Sequence, residues 1–162
     1  MRGKLLGAAF GVALAGTVAG SALAAGCDSQ GDKVAFHVRS LQTELMVAAL
    51  TCGERAAYND FAHRFQRTLI TEGKALKRRF RHDHGARAEK KLNAYVTALA
   101  NRASQRSIEA RDSFCRDAGQ IFAALNEMGP GDLGDFAMRQ PAGDVDVPST
   151  CRATLTLVEK TN

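Results

Sequence analysis

Residues 54–82 read ERAAYNDFAHRFQRTLITEGKALKRRFRH. At 100° per residue, Tyr58, Phe61, Phe65, Leu69, Leu76 and Phe80 fall on one side of a helix. His63, Arg67, Lys74, Lys77, Arg78 and Arg81 fall on the opposite side. The spacing predicts a single amphipathic helix from about Glu54 to His82, ended by His82-Asp83-His84-Gly85. Gly73 lies mid-helix, where it costs about 1 kcal/mol against Ala and offers a place for a kink.

The same period extends in both directions. A first helix is expected from about Lys33 to Thr51, with Val34, Val38, Leu41, Leu45 and Ala48 inside, Asp32 as N-cap and Gly53 as stop. A third is expected over roughly Ala86 to Arg106, with Leu92, Tyr95, Leu99 and Ala103 buried. A fourth follows from about Ser107 to Met128, carrying Phe114, Ala118, Ile121, Phe122 and Leu125. Ser104 and Ser107 are the only punctuation between these two, so one long helix through Ala110 stays open. No alternating strand pattern occurs between Asp32 and Met128, and the first Pro is Pro130. The fold class is therefore all-α: an antiparallel bundle of three to four helices over residues 26–128. Residues 129–162 form an acidic, irregular C-terminal segment, with one short helix over Asp132–Arg139 and a short strand at Ala153–Val158.

The N-terminus has the composition of an export signal. Arg2 and Lys4 precede an uncharged stretch from Leu5 to Ala25, which closes on small residues suited to signal peptidase. Removal of residues 1–25 leaves a chain sized for one domain with one core. It lowers the formal net charge from +5 to about +3, too little to argue for nucleic acid. Two other fates compete: lipidation at Cys27, and an uncleaved anchor. The expected location is the periplasm, with membrane attachment only if Cys27 is acylated.

Export makes disulfides available to Cys27, Cys52, Cys115 and Cys151. None belongs to a C-x-x-C pair, so zinc-ribbon, thioredoxin-like and c-type haem signatures are all missing. Four cysteines allow three pairings. An up-down-up-down bundle puts Cys52 at the top of the first helix and Cys115 about 12 Å below the top of the fourth. The remaining pair, Cys27 and Cys151, belongs at the bottom. This topology favours Cys52–Cys115 and Cys27–Cys151, provided the third and fourth helices are separate.

The densest charge lies between Lys74 and Lys91, with a local net charge of +6. Lys74, Lys77, Arg78, Arg81, Lys90 and Lys91 are candidate contacts for an anionic partner: lipid, lipopolysaccharide phosphate or an acidic protein. Against this stands an ordinary solvated helix face, or pairing with the acidic segment that carries Glu127, Asp132, Asp135, Asp144 and Asp146. Nucleic acid is set aside, because the run lacks interleaved aromatics and the compartment is wrong. His82, Asp83 and His84 invite a metal reading, but helix positions two apart point about 200° apart, and only an extended turn would bring both imidazoles to one ion. His63 lies roughly 28 Å away along a straight helix and cannot complete the set. Asn93, Thr97 and Asn101 recur every four residues and read as a semi-exposed polar stripe beside the core. No hydrolase, zincin, phosphate-loop or paired-carboxylate motif is present, so neither an enzyme nor a cofactor is expected.

The stretch LQTELMVAALTC (41–52) followed by YNDF (58–61), and LNAYVTALAN (92–101) followed by FC (114–115), resemble uncharacterised exported proteins of Gram-negative bacteria. The resemblance spans roughly Phe36 to Phe122. It implies export and makes Cys52 and Cys115 attractive as a pair, but it implies no substrate or catalytic residue. The expectation from sequence is an exported, non-enzymatic helical protein with a binding or structural role in the cell envelope. A metal- or small-ligand-binding bundle, or a lipoprotein tethered through Cys27, are the alternatives.

Overall fold

Phe36 stands at the centre of the lower half of the molecule. Its ring lies 6.0 Å from Phe80 and 5.4 Å, edge on, from Tyr95. These contacts hold three helices together in the computed structural model, which describes residues 30–140. The elements are α1 (Gln30–Thr51), α2 (Arg55–Arg64), α3 (Gln66–His84), a single 3-10 turn (Gly85–Arg87), α4 (Ala88–Glu109), α5 (Arg111–Asn126) and α6 (Leu133–Arg139). α1 rises, α2 and α3 descend, α4 rises and α5 descends. The Glu44–Arg106 ion pair (3.1 Å) and the Cys52–Cys115 disulfide (Cα–Cα 5.5 Å) fix the upper part of that order. The architecture is the expected all-α antiparallel bundle, stapled by a disulfide. Cys27, Cys151, the segment 1–25 and the strand expected at 153–158 lie outside the described residues.

α1 is the central element. Val38, Leu41 and Leu45 pack with Phe61, Phe65, Phe122 and Leu125 in the largest core cluster. Ala35 and Phe36 pack with Leu76 and Phe80 below, and Ala48 packs with Phe114 and Ala118 above. A helix enclosed on several sides buries residues off its main apolar stripe. Phe36 and Thr43 are such residues, 1% and 3% exposed. The Thr43 hydroxyl meets the cost of burial by donating to the Arg39 carbonyl (2.8 Å).

Four details differ from the sequence expectation. The helix expected over 54–82 is two helices, interrupted at Phe65 and continuous through Gly73. Phe65 adopts φ −99°, ψ 14°, in the bridge region. The interruption coincides with long-range anchors: Arg64 donates to the Asn126 carbonyl (2.7 Å) and Thr68 donates to the Pro130 carbonyl (2.9 Å). The third and fourth helices are separate, but they divide at Ala110 (φ −145°, ψ 59°) and not at Ser104 or Ser107. Ser107 is buried inside α4, where its hydroxyl donates to the Ser104 carbonyl (2.7 Å). Arg111 ties the division to the top of α1 by donating to the Thr51 carbonyl (2.6 Å). Asp32 lies within α1 and pairs with Arg79 (3.4 Å), so it is not a cap. Finally, the packed core does not stop at residue 128. Leu133, Phe136 and Ala137 of α6 are buried in the same cluster as Val38 and Leu41. Gly53 does end α1, in a left-handed conformation (φ +82°) that favours Gly.

Candidate anion-binding groove

Lys74, Lys77, Arg78 and Arg81 are all exposed on α3. At 100° per residue they occupy an arc of about 100°. Lys90 and Lys91, also exposed, begin α4 on the far side of the 3-10 turn. Gly85 opens that turn with φ +52°, and its N–H bonds to the Arg81 carbonyl. Arg79 is the member of the run that turns inward. Its side chain is 9% exposed, and it pairs with Asp83 (2.6 Å) and with Asp32 on α1 (3.4 Å). Arg79 therefore locks α3 to α1, while its neighbours face solvent.

α3 and α4 meet at their base and enclose an open groove. The lower part, about 530 Å³, has Lys77 and Arg81 on one wall, Glu89 and Asn93 on the other, and Phe80, Ala88 and Leu92 as apolar lining. The upper part, about 380 Å³, shares Lys77, Leu92 and Asn93 and adds Arg39, Val96 and Thr97. Neither Lys77 nor Arg81 belongs to an ion pair among the described residues. Arg39 reaches the groove from α1 by lying across α3 at Gly73. Its guanidinium Nη2 is 3.6 Å from the position a Cβ would take there. Sequence reading missed Arg39, because it lies far upstream of the basic run and only the fold brings it there. The Asn93–Thr97 stripe is exposed as expected and also lines the groove.

The remaining candidates do not converge. Asp83 Oδ2 accepts from Arg79 Nε and Asp83 Oδ1 lies 2.9 Å from His82 Nδ1, so its carboxylate is committed to an ion pair. Burial pushes the Asp83 carboxyl upward, but the hydrogen bonds and charges of His82 and Arg79 hold it below its ordinary value. His84 instead lies against the Phe80 ring, with centroids 5.6 Å apart. Among the described residues, no three His, Cys, Asp or Glu side chains are placed to hold a metal ion. The alternative of the acidic segment pairing with the basic run is not seen for its described part. α6 packs into the core beside α1, where Gly134 closely faces Val34, and Asp132 accepts from the Gly129 N–H (3.2 Å). Asp144 and Asp146 lie outside the described residues.

No helix among the described residues is long and apolar enough to cross a membrane. Compared with protein-family models, curated proteins and solved structures, the chain matches none.

Proposed function

We propose that this chain is an exported, non-enzymatic protein of the bacterial cell envelope that engages an anionic envelope component through the basic face of α3 and α4. The observation that carries this reading is the exposure of Lys74, Lys77, Arg78 and Arg81 on one arc of α3, beside Lys90 and Lys91, with Arg79 alone diverted to an internal pair. Clustered, unburied cations attract anionic surfaces at about 1 kcal/mol per residue, and the attraction falls within a Debye length. Support for the compartment comes from Arg2, Lys4 and the uncharged segment after them, and from the Cys52–Cys115 disulfide, which persists in oxidising surroundings.

Co-sedimentation with vesicles containing anionic phospholipid tests the reading. The wild-type chain is expected to sediment at low salt and to release as salt rises. Replacing Lys74, Lys77, Arg78 and Arg81 together by Gln is expected to abolish sedimentation and leave the helical circular dichroism intact. Unchanged sedimentation of that variant would remove the basic face from the function.

A further inference from the structure

We propose that the α3–α4 groove is a site for one single-chain amphiphile with a phosphate head. This rests on the basic-face reading and goes beyond it, from a charged surface to a bounded site. Three observations carry it. First, the groove measures about 530 Å³ below and 380 Å³ above. These volumes are in the range of small-molecule sites, whereas a protein partner needs about 800 Å² of surface on each side. Second, charge is graded along the groove. The upper part is lined by Arg39 and Lys77 with no acid, and Asn93 and Thr97 add polar groups that can donate to a phosphate oxygen. The lower part is lined by Lys77 and Arg81 together with one acid, Glu89, so its net positive charge is smaller. Third, half-buried Leu92, lying over the buried Phe80 and Ala88, gives the lower part an apolar strip near the α3–α4 turn. From Ala88 to Thr97 the α4 wall is about 14 Å long. The head therefore belongs in the upper part, against Arg39 and Lys77, away from Glu89. The hydrocarbon runs down over Leu92 and Phe80.

Alkyl phosphates below their micelle concentration test this by titration calorimetry on the full chain. Octyl phosphate is expected to bind one to one. Affinity is expected to rise about threefold to fourfold per methylene from butyl to octyl phosphate, as buried CH₂ groups predict. Arg39→Gln with Lys77→Gln is expected to weaken octyl phosphate at least tenfold. Lys90→Gln with Lys91→Gln, outside the groove, is expected to leave it unchanged while weakening vesicle binding. A thermal melt of each variant checks that the bundle is intact. Equal binding of inorganic phosphate and octyl phosphate overturns the proposal in favour of a simple anion site. Binding that survives the Arg39 and Lys77 substitutions places the ligand elsewhere. Binding of polyglutamate but not octyl phosphate points to an acidic polypeptide and also overturns it. If octyl phosphate fails while wild-type chain still binds vesicles through the basic face, only the groove is refuted. If both fail, the basic-face reading falls with it.

Discussion

Cys52, just past the end of α1, is bonded to Cys115 in the second turn of α5, with Cα atoms 5.5 Å apart and a sequence separation of 63. That bond requires α5 to begin at the same end of the bundle where α1 finishes. It therefore makes α4 and α5 separate, oppositely directed helices. A continuous helix through Ala110 would have carried Cys115 beyond the top of the molecule.

Closing a loop of this length stabilises by about 4 kcal/mol on the chain-entropy account. Replacing Cys52 and Cys115 together by Ser is expected to lower the urea-unfolding free energy by about that amount. An equal unfolding free energy for the double variant and the wild type would show that the bond contributes nothing.

Gly73 sits in an ordinary helical position in α3, and a Cβ there meets only Arg39 Nη2 at 3.6 Å, an ordinary contact. Gly73→Ala is therefore expected to stabilise by about 1 kcal/mol through helix propensity. A raised melting temperature checks this, and a lowered one would mean that Arg39 cannot move aside.

Leu133 is fully buried and Phe136 is 7% exposed, although both follow the Gly129-Pro130-Gly131 break. Leu133→Ala is expected to cost about 2–5 kcal/mol and Phe136→Ala about 3–5 kcal/mol. Urea titration measures both. Losses below about 0.5 kcal/mol would make α6 a surface appendage.

Two carboxylates on α3 are expected to act in opposite directions with pH. Asp83 has a lowered pKa, so its stabilisation is present above its unfolded value, about 3.9, and is lost as pH falls through the lower folded value. Glu72 has a pKa raised by burial, only partly offset by the charge of Arg78. Its ionisation therefore destabilises the fold as pH rises from about 4.3 through the raised folded value. At pH 7, Asp83→Asn should unfold more easily and Glu72→Gln less easily than wild type. Both differences should be below about 1 kcal/mol, because solvent screens these sites. Both should vanish in strong acid, and denaturant melts across pH read the signs directly.

The basic run was visible at once, and the helical period already leaves Arg79 off its polar face, about 60° from Leu76. What it pairs with was not visible, because Asp32 is carried beside it only by the packing of α1 on α3. Likewise Asn93 and Thr97 read as a bland stripe until α3 and Arg39 enclose them. The division near Ser107 was misplaced because the residue at the real break, Ala110, favours helix when read locally, and Ser107 proved to be buried within α4.

By itself the sequence determined the all-α class, most of the buried faces and the end of α1 at Gly53. Those follow from 3.6-residue periodicity and local backbone freedom, which neighbouring residues encode. Only the tertiary structure decided the interruption at Phe65, the burial of Phe36 and Leu133, and the groove shared by Arg39, Lys77 and Asn93. Each of these depends on which helix lies against which, a relation between residues tens of positions apart that no local pattern records.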